Sequence, residues 1–265
     1  MLRKVVEDTK KYWRFAVVSG KSELKSEIAN SHLSWMWWVL DPLLFMLVYT
    51  FVSTIVFNQK IQYFPVFVFV GLSCWNFFNK TIKQSVKVVT KNKKIIAKVY
   101  MPKFILVLVQ MYVNGFKMMI SFALVVIMMV IYHVPLSIHI LEAIPMMFVL
   151  LLLTFAGSTI LLHFGVYVED LNNLVDVFLR LVFYLSGVFY AISGRLHGPH
   201  ASLYEFILLK VNPISFIMDN MRNCMLYDTG IDWITLGIWF VISLVISIVG
   251  LRMIYKYENS YVKII

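Results

Sequence analysis

Residues 104–132 read FILVLVQMYVNGFKMMISFALVVIMMVIY, and Lys117 is the one charged side chain in the run. About 20 consecutive apolar residues are enough for a helix to cross the roughly 30 Å of hydrocarbon in a bilayer. Lipid offers no hydrogen bonds, so the backbone of such a segment must satisfy its own donors and acceptors, which makes it a helix. Comparable apolar runs occur at about 36–57, 63–79, 138–166, 174–192 and 233–254. The expectation is an all-α integral membrane protein with six transmembrane helices. Composition agrees: of 265 residues, 60% are hydrophobic and 14% charged, with a mean hydropathy of +0.79, whereas soluble domains are about one-quarter charged.

Outward from the spans, residues 1–30 form a separate polar segment. Leu2, Val5, Val6, Tyr12, Trp13, Ala16 and Val17 follow helical spacing, and Arg3, Lys4, Glu7, Lys10, Lys11 and Arg14 take the opposite face. That pattern predicts an amphipathic helix at the membrane interface. It also lacks the short apolar core of a cleavable signal peptide. Trp35, Trp37 and Trp38 follow as an aromatic anchor for the first span. Residues 31–265 make up the transmembrane domain.

The segment at 80–103 carries Lys83, Lys87, Lys91, Lys93, Lys94 and Lys98. Pro102 disfavours helical geometry at Met101, so the chain is expected to break there before the third span. Lys and Arg concentrate on the side that holds this loop and both termini, which puts that side in the cytoplasm. Between spans five and six, 193–232 contains Gly194, Gly198, Pro199 and Pro213, with an apolar piece at 203–211 too short to cross. Short external re-entrant helices are expected there.

The formal charge of +10 lies beside hydrophobic spans, where it sets orientation and meets anionic lipid, so nucleic acid is not the partner. Ser19-Gly20-Lys21-Ser22 imitates the end of a phosphate-binding loop, but Phe15 stands where the earlier glycine belongs and no buried strand precedes it. Cys74 and Cys224 form no CxxC pair and read as free thiols. The six histidines have no metal-ligand spacing, and the Gly-Pro loop bearing His197 and His200 makes a weak site. With no catalytic cluster, an enzyme that processes lipid has little support.

Charges inside spans call for a partner or a path. Asp176 and Arg180 share one helix face at i,i+4, either as an internal ion pair or as lining for an anionic cargo. Lys117 either snorkels or lines a path. Among the aromatics Trp37, Tyr49, Trp75, Phe77, Phe78, Tyr112, Phe116, Tyr184 and Tyr190 two uses stay open, lipid-facing packing or a smooth surface for the apolar faces of sugar rings.

With these features placed, the chain resembles the ABC-2 type permeases that export polysaccharides and teichoic acids. The likeness runs through Leu33-Ser34-Trp35-Met36-Trp37-Trp38-Val39-Leu40-Asp41-Pro42, where Ser34 replaces a usual glycine, and through Ile96-Ala97-Lys98-Val99-Tyr100-Met101-Pro102, similar to the first coupling helix. Glu169-Asp170 stands in the place of an Arg-Asp pair. Leu179-Arg180-Leu181-Val182-Phe183-Tyr184-Leu185-Ser186 resembles the fifth helix, with Gly187 replacing a frequent proline. Asn212-Pro213-Ile214-Ser215-Phe216-Ile217, Arg222-Asn223 and Leu226-Tyr227 resemble the external segment before the last helix.

The resemblance implies a permease subunit in the bacterial cytoplasmic membrane that pairs with a second copy and with two ATP-binding cassette subunits. No cofactor is expected on this chain; ATP and Mg belong to the partner. Lys94, Ile95, Ile96, Lys98, Val99, Tyr100, Met101 and Pro102, with Glu169, Asp170, Leu171 and Asn172, are then expected to couple to the ATPase. The implied cargo is a polyprenyl-pyrophosphate-linked cell-surface polymer, a teichoic acid or a polysaccharide, with the teichoic-acid branch the nearer likeness. Arg3, Lys4, Lys10, Lys11 and Arg14 would recognise its diphosphate or serve as a plain membrane anchor, while Trp37, Tyr49, Trp75, Phe78, Tyr112, Phe116, Arg180 and Tyr184 are the expected path. The alternative within the same fold is export of a drug or small lipid.

Overall fold

The computed structural model describes residues 2–29, 34–56, 61–192 and 200–264, and every regular element among them is helical. The N-terminal α1 (Leu2–Ala29) precedes α2 (Ser34–Phe51), which continues as a π turn at Val52–Val56. Then come α3 (Phe64–Val86), two single-turn helices α4 (Val88–Lys91) and α5 (Lys93–Ile96), and the long α6 (Phe104–Ile131). A 3-10 turn at Ile138–Glu142 leads into α7 (Ala143–Tyr167), followed by α8 (Leu171–Leu185). The chain closes with α9 (Ala201–Phe206), a π turn at Ile207–Val211, α10 (Pro213–Leu226) and α11 (Trp233–Ile264). The side chain of Trp35, residues Leu33 and His32, and the stretch 193–199 with Gly194, His197, Gly198 and Pro199 lie outside the described residues.

Among the described residues, four helical segments are long and apolar enough to cross a membrane: Met36–Ile55, Phe104–Ile131, Ile138–Tyr167 and Trp233–Tyr261. The expected second and fifth spans differ from these for distinct reasons. At 23 residues, α3 has the length, about 35 Å at 1.5 Å per residue. It sits at the centre of the bundle against α2, α6, α7, α8 and α10. Neighbouring helices rather than lipid surround it, so Asn76, Asn79, Lys80, Lys83 and Gln84 are tolerated in its second half. The fifth helix is shorter than its apolar run. α8 has 15 residues and ends at Leu185, about 22 Å, because Gly187 takes φ +64 and turns the chain.

Between α8 and α11 the chain makes no straight crossing. The Ala201–Val211 segment and α10 meet at 89°. Asn212 makes the corner: its Oδ1 accepts the backbone N–H groups of Ile214 and Ser215 at 3.2 and 3.4 Å, and its Nδ2 donates to Ser186 Oγ at 2.9 Å. Pro213 occupies the first helical turn, where its missing N–H costs nothing.

Two apolar clusters hold the bundle. The larger gathers α3, α6, α7 and α10 around Phe67, Phe69, Val70, Leu150, Phe216 and Met221. The smaller joins Ala16 of α1, Val88, Val89 and Ile96 of the basic loop, Phe104 and Ile105 of α6, Leu162 of α7, and Ile254 and Tyr261 of α11. It brings the middle of α1 and the 92–103 loop beside the last turns of α7 and α11. The last helix, expected to stop near 254, continues to Ile264 because Tyr255, Glu258 and Tyr261 keep its packed face going.

Candidate functional site

α1 does not rest on lipid alone. Tyr12, Ala16, Gly20, Glu23 and Glu27 recur at helical spacing on one face, and that face lies along the first half of α6. The approach is close at Gly20, where an added Cβ would stand 2.5 Å from Tyr112 Cδ1. Val6 and Trp13, on the expected apolar face of the interfacial helix, are exposed. Two carboxylates on the packed face find partners on α6: Gln110 Nε2 donates to both oxygens of Glu23 at 3.2 and 3.4 Å, and Lys117 Nζ stands 2.7 Å from Glu27 Oε2. The span charge Lys117 is thus neutralised by the amphipathic helix.

This pair borders a cavity of ≈ 280 Å³ between α1, α2, α3 and α6. Trp37, Trp38, Asp41 and Pro42 line it from α2, Ser73, Asn76, Phe77 and Lys80 from α3, and Asn114, Lys117, Met118 and Ser121 from α6. Pro42 lies inside α2 and cannot donate to the carbonyl four residues back, at Trp38, so the helix is open along the cavity wall. Trp38 Nε1 donates to Glu27 Oε2 at 3.1 Å, its ring lies 5.7 Å from Lys117 Nζ, and Phe116 meets it edge-on at 5.9 Å. Lys80 and Asp41 face each other at 4.0 Å. Two ammonium groups, two carboxylates, amides and hydroxyls thus line one concave surface between apolar helices.

A second cavity of ≈ 180 Å³ shares Asp41 and Asn76 with the first and continues past Phe45, Tyr49, Leu72, Trp75 and Phe183. Tyr49 stacks on Phe189, while Trp75 lies 5.2 Å from Phe183 and 6.0 Å from Phe78. Of the expected path residues, Trp37, Tyr49 and Trp75 line these two cavities, and Phe78 and Phe116 back them. Tyr112 lies instead under α1, while Arg180 and Tyr184 sit on the exposed face of α8. The proposed Asp176–Arg180 pair is a correction: Asp176 binds Lys83 of α3 at 2.8 Å, because the inter-helix partner lies nearer than the one along α8.

The basic residues Arg3, Lys4, Lys10, Lys11 and Arg14 are all exposed. Arg3 pairs with Glu7 at 3.0 Å, and Lys4 and Lys11 lie over the rings of Tyr255 and Tyr12. His163 donates to or accepts from Tyr261 at 2.6 Å and His139 meets Glu142 at 2.9 Å, so both serve as hydrogen-bonding histidines. Among the described residues no group of three His, Cys, Asp or Glu is placed to hold a metal, and both cysteines are free and buried.

The expected coupling segment divides by burial. Lys94, Ile95, Lys98, Val99 and Tyr100 are exposed, as are Glu169 and Asp170, whereas Ile96, Met101 and Pro102 are buried in the chain's own cluster and Leu171 and Asn172 are half-buried. The buried members shape the loop and are not available to a partner. Tyr100 is tied from two sides. Its hydroxyl donates to Glu258 Oε1 of α11 at 2.7 Å, and its carbonyl accepts the Tyr12 hydroxyl of α1 at 3.1 Å. Tyr255 closes the triangle by donating to Asp8 Oδ2 at 2.6 Å.

The Glu258 hydrogen bond, with burial behind it, pushes the Tyr100 phenol up to about 12. Its neutral form is the bonded one, so the tie is complete below the phenol's ordinary value near 10 and is lost only as pH rises through about 12. We expect a double-mutant cycle of Tyr100→Phe and Glu258→Gln, read by thermal unfolding, to give a coupling of about 0.5–1 kcal/mol, small because Tyr100 keeps much of its surface in solvent. Strict additivity would show that the tie holds nothing. Nothing in the sequence marked Asp8, Tyr255 or Glu258 as partners of the loop, since they lie more than a hundred and fifty positions apart or at opposite termini; the helical spacing of Glu23 and Glu27 on the apolar face of α1 was the one legible signal.

No family model matches the chain. It is similar over 250 residues to the O-antigen export system permease protein RfbA of Klebsiella pneumoniae, at 23% identity and 94% coverage of each chain. A second protein of that name from the same organism gives 23% over 251 residues. The protein of that name from Myxococcus xanthus gives 27% over 219 residues, 83% of each chain. The likeness is spread along the chain rather than confined to one motif.

Proposed function

We propose that this chain, an ABC-2 type polysaccharide-exporter permease by that end-to-end likeness, is the membrane subunit that carries a lipid-linked polysaccharide across the bacterial cytoplasmic membrane. The relatives are named for O-antigen export, which favours a polysaccharide of that kind over a teichoic acid. α3 and α8 complete six crossings with both termini in the cytoplasm. Two copies and two ATP-binding cassette subunits make the working assembly, and hydrolysis occurs on those subunits.

The observation that carries this reading is the pair of cavities meeting at Asp41 and Asn76. A lipid-linked glycan has an anionic diphosphate and a polar, ring-faced chain. Lys80, only loosely paired with Asp41 at 4.0 Å, gives a charge-assisted donor for the first, and Tyr49, Trp75 and Phe183 give flat apolar faces for the second. The exposed basic face of α1 gathers the anionic head at the membrane surface. The ATPase docks on the exposed Lys94, Ile95, Lys98, Val99 and Tyr100, together with Glu169 and Asp170, and the Tyr100 triangle passes its movement to α1 and α11.

The test is reconstitution. Proteoliposomes containing the chain and its ATP-binding subunit are expected to take up lipid-linked polysaccharide on addition of ATP, and the chain alone is expected to leave ATP untouched. Uptake of polysaccharide with no second subunit, or ATPase stimulation by small amphiphiles and not by the glycolipid, would overturn the assignment.

A further inference from the structure

A cleft of ≈ 420 Å³ lies between α1, the 91–95 turn and α6. We propose that it binds the head group of a zwitterionic aminophospholipid from the leaflet that borders the basic loop. The inference depends on the chain's being a membrane protein and not on what it exports.

The argument starts at Gln110. It is 8% exposed and lines the cleft. A carboxylate only accepts, so the amide must turn its NH2 toward Glu23. That fixes the amide, and Gln110 Oε1 is left buried with no hydrogen-bond partner. A buried carbonyl oxygen without a donor is costly, and this one belongs to a side chain that lines a space large enough for a ligand. What it needs is an N–H or O–H donor.

The charges narrow the ligand. Glu23 is the acid of the cleft and Lys91 its base, and Lys91 has no ion pair among the described residues. One acid and one base make a site of no net charge, which suits a ligand that carries one of each. An ethanolamine head group fits: its ammonium donates to Glu23 and Gln110 Oε1, and its phosphate meets Lys91 and the hydroxyls of Ser19 and Ser22. A narrower cavity of ≈ 60 Å³, lined by Glu23, Lys91 and Gln110 and reaching Gln84, continues inward from the same side chains. Ile95, Leu106 and Val109 supply apolar surface for the first part of the acyl chains. A choline head group has the same charges and no N–H, and a glycerol head group has donors but a net negative charge, so each lacks one half of the match.

Purified chain, without any ATPase subunit, is titrated with phosphatidylethanolamine, phosphatidylcholine and phosphatidylglycerol of identical acyl chains and followed by native mass spectrometry and thermal unfolding. The ethanolamine lipid is expected to bind about tenfold more tightly than either of the others, a difference of roughly 1.4 kcal/mol. Glu23→Gln keeps a hydrogen bond to Gln110 and is expected to erase the preference for ethanolamine over choline. Lys91→Gln is expected to weaken both alike. Equal binding of the ethanolamine and choline lipids, tightest binding of the glycerol lipid, or a preference that survives Glu23→Gln would overturn the proposal. Because transport is not measured, failure here leaves the export reading standing, and failure of export leaves this site standing.

Discussion

Arg222→Met is expected to prevent the protein from accumulating in folded form. Arg222 is 2% exposed, yet its guanidinium forms no carboxylate ion pair among the described residues and binds three backbone carbonyls instead. Nε donates to Phe67 O at 3.0 Å, Nη1 to Gly187 O at 3.0 Å and Nη2 to Val188 O at 2.8 Å, with the Phe67 ring 3.6 Å away. One side chain of α10 thus pins the central α3 and the turn that ends α8. Each buried carbonyl left without a donor costs roughly 1–3 kcal/mol; Phe67 O keeps its helical donor within α3, so orphaning the other two removes at least about 2 kcal/mol from a fold of ordinary marginal stability.

Lysine cannot replace it, because one ammonium nitrogen does not reach three separated carbonyls as a planar fork does. Gly71 is part of the same arrangement: a Cβ there would stand 2.1 Å from Arg222 Nη2. Gly71→Ala is therefore expected to lower the unfolding temperature in the same direction as Arg222→Lys. Detergent-solubilised protein examined by size-exclusion profile and thermal unfolding decides it. An Arg222→Met variant that elutes and melts like the parent would remove the keystone role.

The second large effect concerns Glu27 and Lys117. Glu27→Lys places two ammonium groups where a pair at 2.7 Å stood, a repulsion of about 4 kcal/mol at an effective dielectric of 20 and 4 Å. Side-chain motion and the partial exposure of Glu27, 36%, reduce the realised loss to about 1–2 kcal/mol. The consequence is local: α1 lifts from α6, the wall of the ≈ 280 Å³ cavity opens, and transport falls by about five- to thirtyfold. Lys117→Glu alone is expected to fail likewise. The exchanged pair, Glu27→Lys with Lys117→Glu, restores both the α1–α6 contact, read by cysteine crosslinking between Gly20 and Tyr112 positions, and transport. Failure of the exchange to recover the crosslink would show that the pair does not hold α1 in place.

Much of the architecture was present in local pattern. The spans at α2, α6, α7 and α11 follow from uninterrupted apolar length, since lipid forces a helix on any such run. The amphipathic α1 follows from the angular separation of its charges. The break at Met101-Pro102 follows from proline sterics. The likeness to export permeases was readable as an order of weak motifs. Less legible were the partners of charged groups. Helical spacing offered Arg180 to Asp176, but Lys83 on another helix was nearer; the same spacing could not reveal that Glu27 was the answer to Lys117. Burial also divided the coupling loop in a way its composition does not, with Ile95 outside and Ile96 inside.

By itself the sequence determined the long apolar helices α2, α6, α7 and α11, because their sorting depends on the free energy of each side chain against its solvent and needs no knowledge of neighbours. The tertiary structure alone decided which polar groups meet: Glu27 with Lys117, Tyr100 with Glu258, Arg222 with three carbonyls. Those choices depend on directions and distances of a few ångströms between helices distant in the chain, and inside a low-dielectric bundle such contacts fix where the cavities open and what they are able to bind.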